Sequence, residues 1–133
     1  MYSDGACKGN PGNGGAGAVL TDDQGMVLAS LKQYLGRCTN NVAEYKALIL
    51  GLEEVRRRKG RRLAIHLDSE LLVRQIQGTY RIKKDHLKPL IAKVRELLSH
   101  LDGYEVEHVY REQNRLADQL ANEAIDEGLA SEQ

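Results

Sequence analysis

The hydrophobic period of this chain changes at Thr39, and that change points to an α/β fold. Before it, residues 15–21 (GAGAVLT) form a short apolar run and residues 22–25 (DDQG) a turn. Residues 26–34 alternate well enough to be the second arm of a hairpin. Thr39-Asn40-Asn41 then offers N-cap side chains, and Val42, Tyr45, Leu48, Ile49, Leu52 and Val55 recur at helical spacing up to a terminating Gly60. Residues 63–67 (LAIHL) fit a short buried strand. A second helix follows Asp68-Ser69 and runs to Gln77, closed by Gly78. Leu87, Leu90, Ile91, Val94, Leu97, Leu98 and Leu101 mark a third amphipathic helix, with Pro89 tolerable in its first turn. Residues 104–110 (YEVEHVY) are a fifth strand candidate. Residues 113–127 form a last helix, with Leu116, Leu120, Ala124 and Ile125 expected to face inward.

A hairpin followed by strands alternating with helices implies a mixed sheet with helices packed on it. No linker, repeat or low-complexity stretch divides residues 1–133, so one domain is expected, with 129–133 as a frayed tail. Only Met1, Tyr2 and Ser3 precede Asp4, fewer residues than a strand of ordinary length would place upstream. Either the first strand is short or the chain has lost residues at its start.

Bulk properties exclude little. The chain carries 19 basic and 19 acidic residues, so net charge gives no argument for a polyanionic partner. The distribution is uneven: Arg56, Arg57, Arg58, Lys59, Arg61 and Arg62 crowd one segment, and Arg81, Lys83, Lys84, His86 and Lys88 another. Each cluster reads as a solvated helix end or loop in preference to a binding patch. Cys7 and Cys38 show neither metal-ligand spacing nor the density of a secreted scaffold, so reduced thiols in a cytosol are expected. With no signal peptide or membrane-length apolar run, the protein reads as soluble and cytoplasmic, with no membrane partner. A monomer needs no special argument.

Four acids stand in separate local patterns: Asp4 in YSDGACKGNPG, Glu44 in TNNVAEYKAL, Asp68 in IHLDSELLV and Asp118 in NRLADQLANEA. Two follow apolar β-type runs, at or near strand ends, and two lie on predicted helix faces. Brought together they concentrate negative charge, which is unfavourable unless a hard cation such as Mg²⁺ is bound. Two competing readings are weaker. The glycines of residues 12–17 formally match a dinucleotide fingerprint, but a strand-like run follows them instead of a helix, and no acid lies about 20 residues on. A glycine-permitted turn between antiparallel strands fits better. His66, His86, His100 and His108 have no paired spacing for zinc, and His66 reads as a packed or edge strand residue.

Taken in order, SDGACKGNPG, TNNVAEYKALILGLE, LDSELLV and NRLADQLANEA resemble type 1 ribonuclease H over essentially the whole chain. The resemblance implies a ribonuclease H-like five-stranded mixed sheet of order 3-2-1-4-5 flanked by helices. It also implies metal-dependent hydrolysis of the RNA strand of an RNA/DNA hybrid, leaving 5′-phosphate and 3′-hydroxyl ends. By position, Asp4, Glu44, Asp68 and Asp118 match the family's metal-binding carboxylates, which hold two Mg²⁺ ions, with Mn²⁺ as the expected substitute. Two ions ~4 Å apart activate water on one side of a phosphodiester and stabilise the leaving oxygen on the other. Asn10, Asn40 and Asn41 match positions that meet 2′-hydroxyls, joined by backbone near Cys7 and Gly9. Side-chain amides both donate to and accept from a hydroxyl. Asn40 is also a helix-capping candidate. Arg37 and Thr39 match a pocket for a DNA-strand phosphate.

Two departures from longer family members stand out. Their loop before the final helix carries a histidine; here residues 109–114 (VYREQN) have none, leaving Arg111 or Glu112 as partial substitutes. Their basic, Trp-containing protrusion is cut down to residues 79–86, where Arg81, Lys83 and Lys84 retain phosphate contact. Slower turnover and weaker hybrid binding are therefore expected, and comparable values at equal salt would count against this. The alternative reading is a non-catalytic hybrid-binding module on the same fold. It would be favoured had any of the four acids become neutral, and none has.

Overall fold

A computed structural model describes residues 1–78 and 84–132. Three strands open it in antiparallel succession: β1 (Tyr2–Gly9), β2 (Gly12–Thr21) and β3 (Val27–Cys38). The first strand is not short. It extends downstream of Asp4, because Gly5, Ala6, Cys7 and Lys8 continue the ladder opposite Ala16, Gly15, Gly14 and Asn13. Asp4 therefore lies inside a strand, not at its end. The reversal falls at Asn10-Pro11, whose peptide bond is cis, so the turn expected in the glycine-rich stretch is displaced upstream. Gly12, Gly14, Gly15 and Gly17 are strand residues.

The second hairpin follows its turn chemistry. Asp22 Oδ1 accepts from the amides of Gln24 and Met26, each at 2.9 Å, and Gly25 takes the left-handed φ of 83°. Helix α1 (Asn40–Arg57) starts on Thr39, whose hydroxyl accepts from Val42 N at 3.3 Å. The capping role considered for Asn40 thus belongs to Thr39. Next come β4 (Arg62–Leu67) and α2 (Glu70–Gln77), which Ser69 caps and a left-handed Gly78 ends. A 3-10 turn over Asp85–Leu87 leads into α3 (Lys88–Leu98), with Pro89 in its first turn. β5 (Gly103–His108), a 3-10 turn over Arg111–Asn114 and α4 (Arg115–Ser131) complete the chain. The last helix runs through Ser131, so residues 129–131 of the expected tail are helical. Arg81, Lys83 and Gln133 lie outside the described residues.

The sheet runs in the order β3-β2-β1-β4-β5, with β1–β4 and β4–β5 parallel. On one face α1, α2 and α3 enclose the main core, in which Tyr45, Leu48, Ile65, Leu67 and Val94 are buried. Burying a side chain such as Leu48 contributes ~1.5–3 kcal/mol. On the other face α4 lies across the β1–β2–β3 side, presenting Ala117, Leu120, Ala121, Ala124 and Ile125. Leu116 is left 43% exposed, against expectation, because small residues at 117, 121 and 124 make the close contact. Arg57 and Arg58 both pair with Glu54, and Arg56 with Glu96, so these arginines form a solvated helix end. His66 stacks on Tyr2 at 4.5 Å, with Nδ1 2.7 Å from Glu107 Oε1, which makes it a packed strand residue. Among the described residues no helix is long and apolar enough to cross a membrane.

Candidate active site

Strand register brings the first two acids together. Tyr2 pairs with His66 across the parallel β1–β4 ladder. Two residues further along each chain stand Asp4 and Asp68, side by side at the point where β4 ends. Two glycines then bring a helix onto each face of β1 beside Asp4. A Cβ on Gly5 would overlap the Ala43 and Glu44 backbone, so α1 rests directly on β1 and delivers Glu44. Gly17, the cross-strand partner of Asp4, would collide with the Ala117 carbonyl if it carried a Cβ, so α4 sits equally close and delivers Asp118. Side-chain oxygens of Asp4, Glu44 and Asp68 all lie within 4.8 Å of one another. Asp118 completes the group from α4, lining the same cleft and standing near enough to raise Asp4.

The electrostatic cost is visible in the titration behaviour. Asp4 is 8% exposed. Burial, followed by the proximity of Asp68, Asp118 and Glu44, pushes its carboxyl up to about 9. Burial also raises Glu44, to about 7; the Ser69 hydroxyl opposes this and Asp68 reinforces it. A cation removes that penalty by favouring the ionised forms. Every candidate ligand here is a carboxylate oxygen, which suits a hard ion such as Mg²⁺ and not a soft one. The residues therefore fit the metal that the sequence implied.

Three supporting side chains were not evident from sequence. Asn114 is 1% exposed and donates from Nδ2 to the Ser3 carbonyl at 2.9 Å and to Asp68 Oδ2 at 3.2 Å. An asparagine just before a helix looks like a cap, yet this one makes no side-chain cap bond to α4. Asn122, one turn after Asp118, donates to the Asp118 carbonyl at 2.9 Å and to Oδ1 at 3.3 Å. Ser69 caps α2, its Oγ accepting from Leu72 N at 3.2 Å, and its hydroxyl stands near enough to Glu44 to oppose the rise in that acid. Arg111, one of the two suggested stand-ins for the loop histidine, lines the same cleft of about 410 Å³ as the acids.

The residues expected to meet substrate divide into two groups. Cys7 and Asn40 line the carboxylate cleft. Asn10 is tied to its edge, its Oδ1 accepting from the Asn40 amide at 3.2 Å. Gly9, with φ 92°, forms the adjoining turn. Arg37 is exposed at the end of β3, Thr39 is engaged in capping, and Asn41 is half-buried in the first turn of α1. These three flank the cleft without lining it. A second cleft, of about 420 Å³, lies at the far end of α1 among Arg56, Lys59 and Arg61, away from the acids.

Comparison with known proteins agrees with this architecture. The family model described as reverse transcriptase-like matches residues 2–124. The bifunctional protein Rv2228c of Mycobacterium tuberculosis is 42% identical over 132 residues, covering 98% of this chain and 36% of that protein. The chain thus spans about a third of the length of the first curated relatives it matches. The crystal structure of RNase H1 from the halophilic archaeon Halobacterium salinarum superposes with a TM-score of 0.92 at 39% identity, covering 95% of this chain and 96% of that one. LC11-RNase H1, crystallised in complex with an RNA/DNA hybrid, gives a TM-score of 0.91 at 42% identity, covering 96% of each chain.

Proposed function

Because the chain belongs to the reverse transcriptase-like family, among the type 1 ribonucleases H, we propose that it hydrolyses the RNA strand of RNA/DNA hybrids by a two-metal mechanism. The observation that carries this reading is the convergence of Asp4, Glu44, Asp68 and Asp118 in one oxygen-lined cleft beside Asn40 and Cys7. Asp4, Glu44, Asp68 and Asp118 would hold the ions, with Asp4 and Asp68 nearest the centre of the group. Bound Mg²⁺ supplies an activated water and stabilises the leaving oxygen, so no protein base is required. The chain's own part is to hold those ligands rigidly: Asn114 orients Asp68 and Asn122 orients Asp118. The products are a 5′-phosphate and a 3′-hydroxyl.

Selectivity for a hybrid comes from sensing 2′-hydroxyls across a shallow minor groove. Asn40 and Asn41 present amides from the first turn of α1. Asn10 and the backbone of Cys7 and Gly9 present further groups from the tip of the first hairpin. Arg37 and Thr39 receive a phosphate of the DNA strand, a forked cation and a hydroxyl suiting that group. A similar chain crystallised in complex with an RNA/DNA hybrid supports hybrid binding.

The test is a panel of end-labelled substrates in Mg²⁺, Mn²⁺ or chelator: an RNA/DNA hybrid, double-stranded RNA and single-stranded DNA. Metal-dependent cutting confined to the hybrid's RNA, with products that a ligase accepts at their 5′-phosphate, supports the reading. Tight hybrid binding without cleavage in either metal would make the chain a binding module instead.

A further inference from the structure

Aromatic side chains are scarce in this chain, which has six tyrosines and neither tryptophan nor phenylalanine. Tyr2 stacks on His66, Tyr34 bonds Asn13 from beside Gly128, and Tyr45 is buried in the main core. Tyr80 lies outside the described residues. Two exposed rings remain, at opposite ends of β5. Tyr104 stands near its start and is 46% exposed, and Tyr110 lies just past its end and is 72% exposed. Burial does not account for a ring at position 110.

The backbone sets Tyr110 beside the acids. Leu67 pairs with His108 across the parallel β4–β5 ladder, and the Val109 amide donates to the Leu67 carbonyl at 2.9 Å. Asp68 and Tyr110 are the next residues after that bond, one on each segment. Arg111, which follows, lines the cleft of the four acids. The turn is tied twice: Tyr110 N donates to Gln113 Oε1 at 3.0 Å, and Gln113 N donates to the Tyr110 carbonyl at 2.9 Å. The ring meets His108 edge to face, with centroids 5.7 Å apart and planes at 77°. Such a contact occupies at most one face of the phenol and leaves the other open.

Sheet order fixes which side of the acids this ring occupies. Strands β1, β3, β4 and β5 all run the same way, so their ends share one edge of the sheet. Arg37 and Thr39 stand there where β3 meets α1, Asp4 and Asp68 on β1 and just after β4, and Tyr110 just after β5. The acids thus lie between Arg37 and Tyr110. We propose that Tyr110 is a substrate contact, its open face packing on a sugar of the nucleic-acid strand that leaves the acids on the β5 side. The contact rests on the hybrid-nuclease reading. Bases inside a duplex are stacked on one another, so a strand passing this lip offers the ring the apolar C–H face of its sugars. That face carries neither charge nor base identity. The contact therefore adds affinity without sequence preference, and salt does not weaken it as it weakens a cation on a phosphate.

The test compares wild type, Tyr110→Ala, Tyr110→Phe and Tyr104→Ala in steady-state cleavage of an RNA/DNA hybrid at saturating Mg²⁺. Hybrid affinity is measured separately in the Asp68→Asn chain with and without Tyr110→Ala. Tyr110→Ala is expected to raise KM and weaken affinity by about 3–10-fold, with kcat unchanged. It melts as the wild type does, because the side chain is exposed. Tyr110→Phe and Tyr104→Ala keep the wild-type KM. The loss in Tyr110→Ala is the same factor at low and high salt, whereas loss of a phosphate contact lowers the salt dependence itself. Unchanged KM and affinity in Tyr110→Ala overturn the contact. So does a Tyr110→Phe variant as weak as Tyr110→Ala, which would assign the effect to the hydroxyl, or a penalty that shrinks with salt. Should the wild type bind the hybrid without cleaving it, the nuclease reading fails while the affinity comparison still decides the contact.

Discussion

Asn114 donates to the Asp68 carboxylate at 3.2 Å from a side chain that is 1% exposed, while its second Nδ2 contact, to the Ser3 carbonyl, is 2.9 Å long. One buried amide thereby joins the start of α4 to the strand residue before Asp4 and to the acid that follows β4. Because Asp118 lies one helical turn beyond Asn114, the same amide sets the spacing between acids that arrive from different elements.

Asn114→Ala removes that tie and leaves the Ser3 carbonyl without its donor. The expected cost is ~1–3 kcal/mol of stability, with a larger proportional loss of turnover at saturating Mg²⁺. Asn114→Asp replaces a donor by a like charge beside Asp68 and lowers turnover further. Denaturant melts and single-turnover cleavage of a hybrid check both. Full turnover in Asn114→Ala would show that Asp68 needs no such support.

Asp4 and Glu44 stabilise the metal-free chain less as pH rises. Folded Asp4, at about 9, and Glu44, at about 7, keep protons that unfolded carboxyls release near pH 4. The folded state therefore binds more protons across that interval. Its stabilisation is complete below about pH 4 and is lost progressively up to about pH 9. Mg²⁺ favours the ionised carboxylates, so it raises the melting temperature more at pH 9 than at pH 5. Melts in chelator and in Mg²⁺ across this interval measure the difference, and Asp4→Asn is expected to flatten the slope in chelator. A chelator curve that rises with pH would contradict this assignment.

Gly17→Ala places a methyl group against the Ala117 carbonyl and the Leu120 side chain of α4. Overpacking of this kind costs ~1–3 kcal/mol. Displacement of α4 also moves Asp118, so activity drops by more than the unfolded fraction explains. Gly25→Ala, in the exposed second turn with open space around it, costs only backbone strain and leaves turnover intact. Parallel melts and cleavage rates for the two variants separate close approach from chain flexibility.

Tyr45 donates its hydroxyl to Gln75 Oε1 at 2.6 Å between α1 and α2, and burial pushes the phenol up to about 12. Tyr45→Phe leaves a buried amide oxygen unpaired, at ~1–3 kcal/mol. Turnover of the folded fraction is expected to be unchanged, because the hydroxyl bonds Gln75 on α2 and none of the four acids. Urea unfolding, together with rates measured well below the transition, tests this.

The sequence carried the element order because its hydrophobic periods are distinct, and it singled out the four acids because each stands in its own local pattern. The strand order came from resemblance to a family; periodicity alone could not supply it. What local patterns missed depends on contacts between distant segments. No local pattern set Gly5 or Gly17 apart, yet each has a helix backbone where a Cβ would be, a fact set by α1 and α4. Asn114 read as part of a helix start, and only its neighbours Ser3 and Asp68 reveal why it is turned inward. Asp4 reads as lying at or near a strand end because it follows a β-type run, whereas its strand continues beyond it through Gly9.

The central claim is that these carboxylates hold metal for cleavage of RNA paired to DNA. The most direct measurement is single-turnover cleavage of a 5′-labelled RNA strand in a DNA hybrid, comparing wild type with Asp68→Asn in Mg²⁺ and in chelator. The account predicts cleavage by wild type only with Mg²⁺, restored when Mg²⁺ is added back after chelation. It predicts no cleavage by an Asp68→Asn variant that still folds and binds the hybrid. Cleavage that persists in chelator, or at the wild-type rate in Asp68→Asn, would contradict it.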